Sequence, residues 1–240
     1  MKNSLLIVCL ILLQSGFLKG QILLTTPNGT VLRTNGGTIF QTPVVTIGSQ
    51  KWTYFNLNVG VRIAATSEMG NNGVIEKYCY NDLEANCVTF GGLYQWAEAV
   101  QYQNGATNAA YGTPHVGTNG NVRGICPSGW HIPTEAEWGA LATTLGGTAV
   151  AGGKLKEVGT VHWADPNTGA DNSSGFTALP AGVRAIGGNF VGINQLAYFW
   201  SSTEISNSAA NYYKLVWSNG TFSKNSSSKI DGQSVRCVMD

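Results

Sequence analysis

The chain has 240 residues, 14 Lys plus Arg against 13 Asp plus Glu, and a formal net charge of +1. That balance supplies no field to steer it toward DNA or RNA, so no nucleic-acid partner is expected. Charged residues make up only 11%, beside 31 Gly, 7 Trp and 9 Tyr, which excludes a long-helix bundle and favours a loop-rich mixed domain with an uncharged polar surface.

Residues 1–20 read as a secretory signal. Lys2 opens it, an apolar stretch runs from Leu5 to Leu13, and Gly16 and Gly20 supply small residues near a cut. The stretch is too short to span a bilayer. No second long apolar run follows, so the mature chain is expected to be soluble, without an integral membrane span, and secreted or cell-surface associated. Cys9 follows Val8 inside the apolar stretch, which argues against lipid modification.

Residues 21–45 form a β-prone N-terminal extension, and the main domain is set at 46–240. Val44, Val45 and Ile47, then Trp52, Tyr54 and Leu57, predict two strands across the Gly48–Ser49 turn. Cys79 and Cys87 are close enough in sequence to close a small loop. With Cys126 and Cys237 they allow three connectivities; proximity favours 79–87, and a Cys126–Cys237 bridge would tie the two ends of one domain together. Leu93, Trp96, Ala97 and Val100 recur at helical spacing. Residues 101–124 are polar and glycine-rich, an excursion whose length points to function or poor order.

The clearest local signal is the run from Pro133 to Trp138. Thr134 can accept from the Glu137 amide while Glu137 reaches back to the Thr134 amide, a capping box. Trp138, Leu141, Ala142 and Leu145 then share one apolar face, and Gly146–Gly147 ends the helix. Residues 148–175 return to glycine and polar residues, with Leu155, Val158 and Trp163 as inward points. Short strands are predicted over 176–179, 182–186, 197–201, 212–217 and 234–238.

Several motifs occur in order: Gly92-Leu93-Tyr94-Gln95-Trp96, Gly124-Ile125-Cys126-Pro127-Ser128-Gly129-Trp130-His131-Ile132-Pro133-Thr134, Glu137-Trp138, Gly175-Phe176, Leu179-Pro180-Ala181-Gly182, Phe199-Trp200-Ser201-Ser202-Thr203-Glu204 and Ser234-Val235-Arg236-Cys237-Val238. As a set, over residues 44–240, they resemble the Fibrobacter succinogenes major paralogous domain, a bacterial family of mostly uncharacterised exported proteins. That family is similar to the C-type-lectin-like superfold and, more distantly, to formylglycine-generating enzymes. The resemblance implies an α+β fold with small twisted antiparallel sheets, two helices and long glycine-rich loops. It also implies a bridge from a helix start to the last strand, matching Cys126 and Cys237.

The same resemblance frames the candidate site. Calcium-dependent lectins of that superfold use Glu-Pro-Asn or Gln-Pro-Asp and Trp-Asn-Asp elements. The nearest fragments here are Asp165-Pro166-Asn167, which begins with Asp, and Trp217-Ser218-Asn219, which lacks the final acid. Calcium needs several convergent oxygens; Asp165, Asn167, Asp171 and Asn172 are the side chains available, with ordinary Asx turns as the plainer reading. Trp163, Tyr212 and Trp217 are platforms for a sugar if exposed and core residues if not. No cofactor is expected, calcium being the one metal the pattern admits.

Catalysis finds less support. Formylglycine-generating enzymes use a C-terminal pair of reactive cysteines, and Cys237 stands alone in that region. His131 titrates near neutrality, but its partner would be Glu135 or Glu137, both explained by capping. His115 and His162 are too widely spread for zinc, and no Cys-x-x-Cys, His-Glu-x-x-His, P-loop or Gly-x-Ser-x-Gly element occurs. Ser201 to Glu204 read as a strand terminus. Arg236 reads either as paired with Glu137 or Glu204 or as facing solvent. The expectation is therefore an exported, non-enzymatic surface or adhesion domain. It would bind an extracellular glycan or protein through polar-aromatic loops at 101–123, 148–175 and 187–196. The alternatives are an extracellular hydrolase or modifying enzyme on a lectin-like scaffold, and a purely structural surface component.

Overall fold

A computed structural model describes the backbone at residues 23–25 and 31–33, and the chain at 44–108 and 122–240. The expected leader over 1–20, His115 and most of the 101–123 loop lie outside the described residues. The chain divides between Gln41 and Thr42. The first unit holds β1 (Leu23–Thr25) and β2 (Val31–Arg33), an antiparallel pair with Leu24 opposite Leu32.

The second unit opens with the hairpin of β3 (Val44–Ile47) and β4 (Gln50–Thr53), so Val44 and Val45 belong to a strand of this unit. β5 (Val61–Arg62) and β6 (Glu76–Lys77) pair in parallel. Then come α1 (Glu84–Phe90), α2 (Trp96–Ala99), β7 (Trp130–His131), α3 (Glu135–Thr144) and α4 (Thr148–Leu155). The hairpin of β8 (Val183–Arg184) and β9 (Phe190–Val191) precedes the meander of β10 (Leu196–Glu204), β11 (Ala209–Val216) and β12 (Ser223–Ser228), and β13 (Val238–Met239) follows. The larger sheet has the order β3-β4-β13-β7 and the second the order β10-β11-β12.

The α+β class holds, but the lectin-like expectation does not. Among the described residues there are four α-helices, not two, and the sheets are small and open, with none curled or closed as that superfold requires. The extra helices came from segments that composition assigned to loops. α1 is closed against the Cys79–Cys87 bridge. α4 follows Gly146 and Gly147, whose φ values of 95° and 96° break the chain away from α3. α4 itself contains Gly152 and Gly153, residues of low helix propensity that a local reading assigns to a loop.

α3 is built as its sequence dictates. Thr134 Oγ1 accepts from the Glu137 amide at 3.2 Å, and Glu137 Oε2 accepts from the Thr134 amide at 2.8 Å. Its apolar face buries Trp138, Leu141, Ala142 and Leu145. Trp138 is the hub of the main core, with ring centroids 4.6 Å from Trp52, 5.8 Å from Phe199 and 5.5 Å from Tyr213. Burying each such side chain stabilises by roughly 2–3 kcal/mol. A second cluster gathers Trp96, Trp130, Ile132, Trp200 and Val235 around the Cys126–Cys237 disulfide. Both expected bridges form, with Cα separations of 5.0 Å for Cys79–Cys87 and 6.0 Å for Cys126–Cys237.

Buried cations pin the irregular segments. Arg236 meets neither expected carboxylate. Its guanidinium donates to Asn56 Oδ1 and to the carbonyls of Thr53, Phe176 and Thr177, and lies 4.4 Å from the Phe176 ring. The reason is position: Arg236 lies between the two cores, where main-chain oxygens are what surrounds it. Burial pushes its pKa down to about 9. Glu204 is taken instead by Lys229, which also sits 4.5 Å over Trp96. Ser201 to Glu204 are the last four residues of β10, where the pairing with β11 shifts register after Trp200.

Candidate functional site

The three-stranded sheet positions the site. Side chains alternate between the faces of a strand. One face sends Ala197, Phe199, Tyr213 and Leu215 into the main core. On the other face, the register sets Tyr198 beside Lys214 and Lys214 beside Ser223, then Trp200 beside Tyr212 and Tyr212 beside Asn225, then Ala210 beside Ser227. Trp200 and Tyr212 are buried there, whereas Tyr198, Lys214, Ser223, Asn225 and Ser227 are half-exposed.

The Tyr198 and Tyr212 rings stack with centroids 4.7 Å apart, and Trp200 meets Tyr212 edge-on at 6.4 Å. The Trp200 indole is fixed by donating to the Tyr94 carbonyl at 2.7 Å. Burial, reinforced by the nearby Asp231 carboxylate, pushes both phenols up, so both stay neutral donors and acceptors at ordinary pH.

Asp231 closes one side of this face. It accepts from the Ile186 amide at 2.9 Å. Its partial burial pushes the carboxyl up, against the opposing pull of its hydrogen bonding and of Arg184. Gln233 Nε2 donates to Ser227 Oγ at 2.6 Å, and its buried Oε1 has no partner among the described residues. The arrangement is a partly open aromatic ring backed by neutral hydroxyls, amides and one carboxyl. Its chemistry is stacking and hydrogen bonding to a polar, uncharged surface.

The seven residues expected from the sequence fall in different places. Trp163 is a core residue, 1% exposed, with Nε1 donating to the Ala178 carbonyl at 2.9 Å. Asn167 is buried and donates to the carbonyls of Glu157 and Gly159. Trp217 is half-buried against the main core, and its carbonyl accepts from the Thr168 amide at 2.8 Å, so these three share one neighbourhood. Asp165 and Asp171 are exposed, and Asp171 caps the Ser173 amide at 2.8 Å, an interaction that holds its carboxyl below the usual range. Asn172 is committed to Thr177 through both ends of its amide. Only Tyr212 lies on the sheet face. The residues missed were Tyr198, Asn225, Ser227 and Asp231; the signal was strand alternation running past Ser201, and β12 was hidden because Ser and Asn are weak strand formers.

His131 lies between two carboxylates, Nε2 at 2.7 Å from Glu137 and Nδ1 at 2.6 Å from Asp240. Burial pulls its pKa down, but the two hydrogen bonds and charges outweigh this and leave it raised. An imidazolium with both nitrogens engaged has no lone pair for proton abstraction. Among the described residues, Cys79, Glu84 and Cys87 are the one Cys/His/Asp/Glu trio with metal-ligand spacing, within 4.8 Å of one another. Their sulfurs are joined as a disulfide and carry no thiolate charge, which is what a metal requires of cysteine. Glu84 is moreover engaged by Lys77 at 3.0 Å.

Among the described residues no helix is long and apolar enough to cross a membrane. No curated protein and no solved structure matches the chain. One family model does match, over residues 45–239, and the chain accordingly belongs to the Fibrobacter succinogenes major domain family.

Proposed function

We propose that this is an exported surface or adhesion domain that binds an extracellular glycan on the Tyr198–Tyr212 face of its three-stranded sheet. The observation that carries this reading is the half-exposed Tyr198 ring, stacked on Tyr212 and edged by Asn225, Ser227 and Asp231. A sugar presents apolar C–H faces to such a ring and hydroxyls to such a rim. The two disulfides support an oxidising compartment. An uncharged polar surface suits contact with neutral polymers.

The test is a glycan array with the purified domain, followed by titration of the best ligand into the wild type and Y198A. Tyr198 is partly buried against the second core, so the thermal midpoint of Y198A is measured beside its binding to separate loss of contact from loss of packing. Loss of the stacking contact is expected to weaken binding about tenfold or more. An array without binding, or a ligand indifferent to both Y198A and N225A, would overturn the reading.

A further inference from the structure

Lys156 directly follows α4 and is fully buried. Its ammonium donates to three main-chain carbonyls, Thr168 at 3.0 Å, Val216 at 3.1 Å and Asn219 at 2.9 Å. The Trp163 ring lies 5.4 Å from the same nitrogen. An ammonium has three N–H donors, and each is satisfied. No carboxylate contributes: burial alone pulls its pKa down, to about 8. The nearest acidic neighbour in sequence, Glu157, is engaged by His162 at 2.8 Å.

The three carbonyls come from separate pieces of chain. Thr168 belongs to the 164–172 loop, Val216 ends β11, and Asn219 lies in the turn toward β12. Backbone contacts sew the same pieces to α4, since Gly153 donates to the Gly220 carbonyl at 3.1 Å and accepts from the Asp171 amide at 3.0 Å. Converging carbonyls from unrelated loops are the environment a hard cation selects. Calcium, however, would draw six to eight oxygens to about 2.3–2.6 Å, and three oxygens near 3 Å are the geometry of an ammonium.

We infer that Lys156 is the resident cation of this cage, a built-in ammonium standing where a metal ion would otherwise order the loop bearing Asp165, Asn167 and Asp171. The loop and the turn after β11 then take their shape from the polypeptide alone, and the end of the sheet that carries Tyr198 and Lys214 is anchored without a metal. Removing the ammonium leaves the Thr168 and Asn219 carbonyls without their side-chain donor and the Val216 carbonyl with the 3.5 Å contact from the Asn219 amide, a site for a free ammonium-class cation.

The experiment is hydrogen–deuterium exchange on the full chain, wild type and K156A, with K156M as the uncharged variant of similar length. Wild-type exchange is expected to be unchanged by EDTA or by added calcium. In K156A, amides over 164–172 and 217–221 should exchange at least about tenfold faster, the effect of losing one net hydrogen bond of this strength. Propylammonium should restore protection, and tetramethylammonium at equal concentration should not. Acceleration in EDTA, wild-type protection in K156M, or equal rescue by the two cations would overturn the inference. If K156A does not accumulate, the EDTA and calcium comparison on the wild type, with K156M, decides it.

Discussion

His131 and Glu137 are joined across the start of α3, Nε2 to Oε1 at 2.7 Å, so the carboxylate that caps the helix also holds the imidazolium. Burial raises the Glu137 pKa, but the bonds from His131 and Thr134 outweigh it and leave it lowered. Stability from Glu137 is therefore present above its ordinary 4.5 and is lost as pH falls through the depressed value. Stability from His131 is complete below its ordinary 6.5 and is lost as pH rises through the raised value. Both contributions are in full force between pH 4.5 and 6.5. Denaturant midpoints measured across pH should show a plateau there. H131A should lower stability by about 2–3 kcal/mol at pH 6 and flatten the alkaline side of the profile; an unchanged profile in H131A would refute the assignment.

The Cys126–Cys237 bridge closes a ring with a sequence separation of 111, the Cys79–Cys87 bridge one of 8. The chain-entropy relation assigns them about 5 and about 2.5 kcal/mol. C126S/C237S should therefore lower the thermal midpoint far more than C79S/C87S. Equal losses in calorimetry would contradict that order.

Gly152 shows why α4 tolerates a poor helix former. A Cβ there would stand 2.1 Å from the Thr221 carbonyl oxygen. Alanine ordinarily strengthens a helix by roughly 0.5–1 kcal/mol over glycine. G152A should instead destabilise, by about 1–3 kcal/mol or more, because backbone must move. A midpoint equal to or above the wild type would show that the helix and turn do not meet this closely.

Arg236 links β4, the 176–177 segment and Asn56 through four hydrogen bonds. Lysine keeps the charge but not the planar fork. R236K is expected to cost about 3 kcal/mol or more in urea unfolding, since several buried carbonyls lose their donor. A near-neutral R236K would mean that charge alone suffices.

Some of this was legible in the chain. The capping box at Thr134 and Glu137, the buried face of α3 and both cysteine pairings appear as read. The lectin-like architecture, the extra helices and the partners of Arg236 were not. Glycines that permit close backbone contact in α4 look, in a linear reading, like loop glycines. A serine-rich segment becomes a strand only because β11 is there to pair with it. Trp163 is a core residue for a related reason: which ring is buried depends on what packs over it.

The sequence by itself determined the features that depend on near neighbours: a helix start, an apolar periodicity, cysteines available for bridging, and membership of a family through ordered motifs. Tertiary structure alone decided the cages around Lys156 and Arg236 and the sheet face that carries Tyr198. Those sites are made largely of main-chain carbonyls and cross-strand neighbours, and a carbonyl has the same chemistry at every residue. No pattern of side chains marks where such groups converge, and folding has to bring them together before they become a site.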